Sequence, residues 1–323
     1  MRTSKAPLWL ALLALLACPL PVLAQKYPEK SIRLLVGFST GAPYILALLI
    51  SDKLRESLGQ SVVPDFRPGA AGNIATEVVA KAPPDGYTLL LTASTIAISP
   101  NLSPKLGYDT FRDFAPITLL ATVPTVIVVH PSVPAKNLDE LVKLAKAHPG
   151  KLNFGSGGIG TSNHLGSELF KTLTKINIVH VPYKGAAIAL TAMLSGEVDM
   201  VTSTIPATIP LVNSGRIRAL AVLAPKRVAS LSKVPTSAEA GMPELVVISW
   251  YGLVAPAGIN PAIIEHLNAE VVKLMNAPEV KSKLAQVELD ASTSTPADFA
   301  KFVRAEYEKW GRVIKEANIR LQQ

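Results

Sequence analysis

The chain has almost no cysteine and few histidines, and both shortages limit the chemistry open to it. Its 323 residues include one cysteine and five histidines. The cysteine lies in Leu15-Leu16-Ala17-Cys18, which resembles a bacterial lipoprotein cleavage box, so lipidation of Cys18 stays open. A chain cleaved beyond Cys18 would have neither a disulfide nor a thiol nucleophile. Without cysteines, and with no two histidines at ligand spacing, the sequence predicts no metal site.

Long apolar runs are also scarce, and the one near the N-terminus is short. Arg2 and Lys5 precede about ten apolar residues at positions 8–17, whereas a helix that spans a membrane needs roughly 20. A basic start, a short apolar segment and small residues up to Ala24 are typical of a secretory signal peptide. We therefore expect residues 1–24 to direct export and to be removed.

Clustered charge is absent as well. The formal net charge is +8, but the basic residues are scattered along the chain. A nucleic-acid-binding surface would need a basic stripe with aromatic residues between the charges. The composition therefore predicts no nucleic-acid partner, whereas a mild positive field favours anionic solutes.

What the sequence does contain is a regular alternation of strand and helix patterns. The run Ile32-Arg33-Leu34-Leu35-Val36 is typical of a buried strand, and the helical pattern after Pro43 ends at Gly59. A similar strand, loop and helix recur over residues 151–173. This alternation predicts right-handed crossovers and parallel sheets. About 300 residues after the leader exceed one core, which predicts two lobes.

Each of these two units has a glycine-serine loop between its strand and its helix. The loops are Gly37-Phe38-Ser39-Thr40-Gly41-Ala42 and Gly155-Ser156-Gly157-Gly158-Ile159-Gly160-Thr161-Ser162. Such a loop presents backbone N–H groups and the positive end of a helix dipole to an anion. We therefore interpret each loop as half of a ligand clamp, with one half in each lobe.

Both loops also match motifs of other protein classes. The first reads G-x-S-x-G, which predicts a hydrolase with Ser39 as nucleophile, although no acid is placed to orient a histidine. The second reads G-x-G-x-x-G, but a dinucleotide site needs an acidic residue about 20 positions further on. Residues 177–181 contain none. A serine hydrolase stays an alternative, and no cofactor is predicted.

Several motifs, in order along the chain, resemble those of the solute-binding receptors of tripartite tricarboxylate transporters, the Bug receptor family. They are Tyr27-Pro28, Arg67-Pro68-Gly69-Ala70-Ala71-Gly72-Asn73, Pro84-Asp85-Gly86-Tyr87-Thr88-Leu89-Leu90, Gly160-Thr161-Ser162-Asn163-His164-Leu165, His180-Val181-Pro182-Tyr183-Lys184-Gly185, Arg218-Ala219-Leu220-Ala221-Val222 and Trp250-Tyr251-Gly252-Leu253-Val254-Ala255-Pro256. The resemblance covers essentially the whole chain after the leader.

The resemblance implies an α/β fold, a two-lobed periplasmic binding protein of type II-like architecture. Each lobe would be a mostly parallel sheet flanked by helices, and two crossing strands would form the hinge. We place residues 25–121 and 252–323 in the first lobe and residues 122–251 in the second. The C-terminal helices are expected to pack on the first lobe.

The resemblance also implies a periplasmic receptor that is not an enzyme and has no cofactor. It would be a monomer that captures a small organic acid and delivers it to the membrane permease subunits of a tripartite transporter. A ligand sensor that signals through a sensor kinase is the alternative from another functional class. The residues implied for the ligand are Phe38, Ser39, Thr40, Gly41, Ala42, Pro43, Asn73, Ser94, Ser156, Gly157, Gly160, Thr161, Ser162, Tyr183 and Ser203.

Two positions depart from the family pattern. Ile45 stands where related receptors usually have aspartate, and Thr202-Ser203-Thr204 stands where a strand end commonly carries Asp-Asn. Without these acids, a ligand amine has no partner. We therefore do not expect an amino acid as ligand, whereas a dicarboxylate, an aromatic acid or a less polar solute stays open.

Overall fold

The computed structural model of the chain describes residues 27–103 and 105–319. The signal peptide expected at residues 1–24, together with Cys18, lies outside the described residues. Within them, no helix is both long enough and apolar enough to cross a membrane.

Strands and helices alternate along most of the described chain. The strands are β1 (Ile32–Val36), β2 (Val62–Phe66), β3 (Thr88–Ala93), β4 (Phe114–Val129), β5 (Asn153–Ser156), β6 (Val179–Pro182), β7 (Met200–Thr204), β8 (Arg218–Val222), β9 (Ile248–Pro256) and β10 (Asp290–Ala291). The helices are α1 (Ala42–Leu58), α2 (Asn73–Ala80), α3 (Thr95–Leu102), α4 (Leu138–Ala147), α5 (Ser162–Thr174), α6 (Ala186–Leu194), α7 (Ile205–Asn213), α8 (Pro261–Asn276), α9 (Pro278–Gln286) and α10 (Pro296–Glu316).

Local sequence sets the ends of several helices. Pro43 stands in the first turn of α1, and Gly59 ends that helix with a left-handed backbone at φ 68°. The side chains of Asn137, Asn260 and Thr295 accept backbone N–H bonds in the first turns of α4, α8 and α10. The strand, loop and helix expected at the start of the chain are confirmed.

The long strand β4 joins two groups of strands. Its first part, as far as Pro124, pairs with β9, and its last part, from Thr125, pairs with β7 and β8. The strands on one side follow the order β2-β1-β3-β9-β4 and form what we call the first lobe. Those on the other side follow the order β4-β7-β5-β6, with β8 also on β4, and form the second lobe. The residue boundaries expected for the lobes stay a prediction.

The pairing gives the direction of each strand. Strands β1, β2 and β3 are parallel to one another, and so are β5, β6 and β7. Strand β3 runs antiparallel to β9, which runs antiparallel to β4, so β3 shares the direction of β4 toward the second lobe. Strand β7 runs antiparallel to β4 and therefore toward the first lobe. The carboxyl ends of both parallel sets consequently point at the junction between the lobes.

The C-terminal helices pack on the first lobe as expected, and the last of them, α10, also contacts the second lobe. Phe299 and Val303 lie in a core cluster with residues of β1, β3 and β9. Trp310 and Val313, farther along α10, lie in a second-lobe cluster with residues of β5 and α5. The apolar stripe of α10 is long enough to cover two cores because the helix has 21 residues.

Candidate functional site

The candidate site lies where the carboxyl ends of the two parallel sets meet. Each of the six strands leads directly into a helix: β1, β2 and β3 into α1, α2 and α3, and β5, β6 and β7 into α5, α6 and α7. Both glycine-serine loops are among these connections. The loop at 37–41 joins β1 to α1, and the loop at 157–161 joins β5 to α5. The clamp expected from the sequence thus has both its loops at the lobe junction.

The first-lobe loop is held by close backbone packing. A Cβ atom added to Gly37 would lie 2.5 Å from the Cα of Gly72, in the loop that follows β2. The ring of Phe38 is also next to Gly72, where an added Cβ would meet Cε2 at 3.1 Å. Ala70 and Ala71 have left-handed backbones at φ 47° and 55°. Strain of this kind in non-glycine residues costs about 1–3 kcal/mol each and concentrates at functional sites.

The second-lobe loop repeats this arrangement. A Cβ atom added to Gly157 would lie 2.8 Å from the backbone nitrogen of Ala186, at the start of α6. The hydroxyl of Thr161 donates to the carbonyl of Gly158 at 2.8 Å and accepts from the amide of His164 at 3.3 Å, so it also caps α5. The loop after β1 therefore packs on the backbone of the loop after β2, and the loop after β5 packs in the same way on the segment after β6.

The second-lobe loop and α5 contact the first lobe and the crossing strand. The hydroxyls of Ser162 and Ser249 lie 2.6 Å apart, and Ser249 is on β9. Gly160, at φ 84°, is so close to α3 that an added Cβ would lie 2.7 Å from Cδ1 of Leu102. The left-handed backbone favours glycine at this position, and a larger residue would also push the side chain of Leu102 aside.

The helices that start at the junction have no acidic residue in their first turns. Of the four other helices named above, α8 also has none, whereas α4, α9 and α10 each have at least one. Only α5, among the six, has a side chain that caps its first turn. The unpaired N–H groups and the positive dipole ends are therefore left without an internal anion.

Two histidine rings lie against each other behind the second-lobe loop. The ring centroids of His164 and His180 are 4.1 Å apart with the planes tilted by 32°, and the ring of Phe154 stacks on that of His180 at 4.8 Å. His180 Nε2 lies 2.6 Å from the hydroxyl of Ser156, and His164 Nδ1 accepts from the amide of Gly160 at 3.3 Å. Both histidines therefore form hydrogen bonds at the end of β5 and in the loop that follows it.

Burial makes both histidines weak bases. Desolvation, the neighbouring ring and Lys171 lower the pKa of His164 to about 3. Desolvation and Lys171 lower the pKa of His180 to about 4. The carboxylate of Glu168 is 3.9 Å from His164 Nε2 and 3.0 Å from the ammonium of Lys171. Both rings are therefore neutral near pH 7.

These pKa values predict that the protein loses stability in mild acid. A histidine in the unfolded chain takes up a proton near pH 6.5, whereas the folded rings stay neutral until about pH 4 and pH 3. The unfolded state is thus favoured as the pH falls below 6.5. Each ring should contribute about 2 kcal/mol, so we expect a total loss of about 4 kcal/mol between pH 7 and pH 5 in urea unfolding.

The matched variant for this measurement is the double substitution His164→Asn and His180→Gln, which removes both titrating rings. It should show a smaller loss over the same pH range. Replacing the exposed His148, after α4, with glutamine should leave the loss unchanged. An equal pH dependence in the double variant and the parent protein would contradict the assignment to these rings.

The other residues expected at the site differ in their surroundings. Asn73 begins α2 without capping it, and its Oδ1 accepts from the hydroxyl of Tyr108 at 2.7 Å. Ser94 is buried at the start of α3. The hydroxyl of Tyr183 donates to Glu197 at 2.8 Å, beyond the far end of α6. Ser203 is fully buried, and its hydroxyl has no hydrogen-bond partner within residues 27–103 and 105–319.

Several contacts of the site had no signal in the sequence. The pairing of Ser162 with Ser249 joins residues 87 positions apart. Asn163 donates to the carbonyl of Thr202 at 2.8 Å, and Ser167 bonds to the hydroxyl of Thr202 at 2.8 Å. No local pattern identifies such partners, because each contact depends on how two distant elements are brought together.

The arrangement gives no support to a hydrolase at Ser39. Ser39 is exposed, but in the part of the chain that the structure describes its hydroxyl bonds to no histidine. The serine–histidine contacts of the described residues lie in the second lobe instead, between Ser132 and His130 after β4 and between Ser156 and His180. Ser156 is 0% exposed, so its hydroxyl cannot reach a substrate.

Comparison with known proteins identifies the family. A family model described as "Tripartite tricarboxylate transporter family receptor" matches residues 46–319. The chain belongs to this receptor family. Protein BugT of Bordetella pertussis is 35% identical over 305 residues, which cover 94% of each chain.

Solved structures of similar receptors have the same fold. The structure of R. palustris Rpa4515 with adipate has a TM-score of 0.86 and 37% identity, and covers 91% of this chain and 99% of that one. MatC from Rhodopseudomonas palustris with bound malate has a TM-score of 0.82 and 30% identity, and covers 89% and 100%. The two-lobed α/β binding-protein fold expected from the sequence is confirmed. The family consists of periplasmic solute-binding receptors.

Proposed function

We propose that this receptor captures a small organic carboxylate between its two lobes and delivers it to the membrane subunits of a tripartite transporter. The single observation that carries the proposal is the set of helix starts at the lobe junction. Six of them follow the converging strands, and none has an acid in its first turn. An external carboxylate supplies the negative charge that the chain itself does not provide there.

The ligand contacts are assigned to both loops and their neighbours. In the first lobe, residues 39–41 are exposed, and so are Tyr44 and Ile45 in the first turn of α1. In the second lobe, the loop at 157–161 and the start of α5 supply the opposite wall. Hydrogen bonds to a charged group contribute about 1.5–3 kcal/mol each. Four or five of them, less the cost of ordering ligand and lobes, support micromolar affinity, or about −8 kcal/mol.

The ligand is proposed to have no amino group. Ile45, where related receptors usually have aspartate, is 38% exposed on α1 and has no charge to offer. At the end of β7, Thr202 is bonded to Ser167 and Asn163, and neighbouring Ser203 is a neutral hydroxyl. The relatives with adipate and malate make dicarboxylates the first compounds to test.

A thermal-shift screen tests this proposal. We expect adipate, malate or another dicarboxylate to raise the melting temperature, and binding at 100 times Kd should add about 2.7 kcal/mol of stability. Aspartate should give a smaller shift than malate, because its ammonium group finds no carboxylate partner. The matched variant Ile45→Asp adds a carboxylate for the ammonium group, so its melting-temperature shifts with aspartate and with malate should be more alike. No shift across a panel of mono- and dicarboxylates would contradict the proposal.

Delivery to a transporter is proposed over signalling through a sensor kinase because the family is named for the transporter. The exported chain, cross-linked in its native membrane with and without adipate, should retain permease subunits. Retention of a sensor kinase instead would support the alternative function.

A further inference from the structure

The two histidines behind the second-lobe loop have no part in the contacts assigned to the ligand. A ring nitrogen of His180 nevertheless bonds to Ser156, just before the loop, and one of His164 bonds to Gly160 within it. Charged and aromatic side chains surround the two rings. Glu168 and Lys171 come from α5, Phe154 comes from β5, and the two rings face each other. His164 is 2% exposed, so its hydrogen bonds are made inside the protein.

We propose that His164 and His180 are positioning residues that hold the loop at 157–161 in the shape that binds a carboxylate. The inference rests on the proposed function, since the loop is one wall of that site. Neither histidine needs to touch the ligand. Each acts through a hydrogen bond to the loop, and the two bonds lie on either side of Gly158.

The proton positions follow from the hydrogen bonds around His164. The amide of Gly160 donates to Nδ1, so Nδ1 has no proton and acts as the acceptor. A neutral ring then keeps its proton on Nε2, which faces the carboxylate of Glu168. A second proton on the ring would place an N–H against the N–H of Gly160. The bond that holds the loop is therefore possible only while the ring is neutral.

His180 acts through Ser156. The hydroxyl oxygen of Ser156 accepts from the amide of Gly158 at 3.2 Å, which leaves its hydrogen free to donate to His180 Nε2. This bond tolerates protonation better, because the hydroxyl can rotate and donate to the carbonyl of Gly158 at 3.3 Å instead. The hydrogen bond of His164 therefore depends more strictly on a neutral ring than that of His180 does.

The experiment uses side chains that keep or remove one acceptor at a time. Asparagine places its oxygen near the position of Nδ1, and glutamine places its oxygen near that of Nε2. His164→Asn and His180→Gln therefore keep the acceptors without a titrating ring. His164→Leu removes the acceptor, and His180→Phe keeps the stacked ring without its nitrogen.

The first readout is amide hydrogen exchange of residues 156–161 without any carboxylate. We expect His164→Leu to accelerate exchange there by tenfold or more, with no change at residues 37–41 in the first lobe. His164→Asn should restore most of the protection. Unchanged exchange in both His164→Leu and His180→Phe would overturn the proposal, because the rings would then only fill space.

The second readout is the affinity for adipate and for malate, measured by calorimetry at pH 7, where both rings are neutral. We expect His164→Leu to weaken binding tenfold or more, and His164→Asn to bind within about threefold of the parent. Equal affinity in His164→Leu and His164→Asn would overturn the role of the ring nitrogen as an acceptor.

The two readouts separate this inference from the proposed function. If the parent binds no carboxylate, the proposed function fails, while hydrogen exchange still decides whether the histidines hold the loop. If His164→Leu does not fold, the comparison of His180→Phe with His180→Gln makes the same test, and equal exchange in those two variants would overturn the proposal.

Discussion

Replacing Gly157 with alanine is expected to weaken carboxylate binding by about 100-fold, or about 2.7 kcal/mol. The new Cβ would lie 2.8 Å from the backbone nitrogen of Ala186 and 3.2 Å from its Cα. Neither atom belongs to a flexible side chain, so the loops after β5 and β6 must move apart. That movement displaces the amides at 157–161 to which we assign contacts with the ligand. Calorimetry with adipate measures the effect.

The first lobe offers an equivalent variant. An alanine at Gly37 would place Cβ 2.5 Å from the Cα of Gly72, so Gly37→Ala should also weaken binding strongly. Gly215→Ala is the control: it strains a backbone at φ 70° between α7 and β8 but meets no atom within 4 Å. It should lower stability without lowering affinity. Full affinity in either Gly37→Ala or Gly157→Ala would remove that loop from the site.

Replacing Trp310 with alanine is expected to lower the free energy of unfolding by about 3–5 kcal/mol, the usual cost of removing a large buried aromatic side chain. Trp310 is fully buried in the second-lobe cluster. Its indole N–H donates to Glu306 at 2.9 Å, and the same carboxylate oxygen accepts from Trp250 of β9 at 3.1 Å. The substitution therefore removes packing contacts of α10 and one of the two hydrogen bonds that tryptophan side chains donate to Glu306.

Equilibrium urea unfolding measures this loss. Glu308→Ala, on the exposed side of the same helix, is the control and should change stability by less than about 0.5 kcal/mol. A loss below about 1 kcal/mol for Trp310→Ala would show that α10 contributes little to the second lobe. Because α10 covers both cores, we also expect Trp310→Ala to make the two lobes unfold less cooperatively, which would broaden the unfolding transition.

The opening unit shows how much local sequence decides. The expected strand and helix coincide with β1 and α1 almost to the residue. A branched apolar run, a glycine-rich break, a proline in the first helical turn and a glycine at the end act within a few residues of one another. The motifs also sufficed to recognise the family, and the glycine-serine loops lie at the junction where the clamp needs them.

Other features depended on distant contacts. The C-terminal helices were expected on the first lobe, and the second-lobe contact of Trp310 on α10 was not predicted. Alternating strands and helices predicted parallel pairing, which holds for three strands in each lobe, whereas β4 and β9 run antiparallel to their neighbours. A strand pattern contains no information about the direction of its partner.

By itself, the sequence determined the local elements, the two loops and the family, because these depend on backbone preferences and side-chain spacing over short stretches. Only the tertiary structure decided that both sets of strand ends converge, that Gly37 and Gly157 must lack a Cβ, and that His164 and His180 lie together behind one loop. Those properties arise between residues far apart in the chain, where the direction of β4 and the packing of whole lobes set the distances.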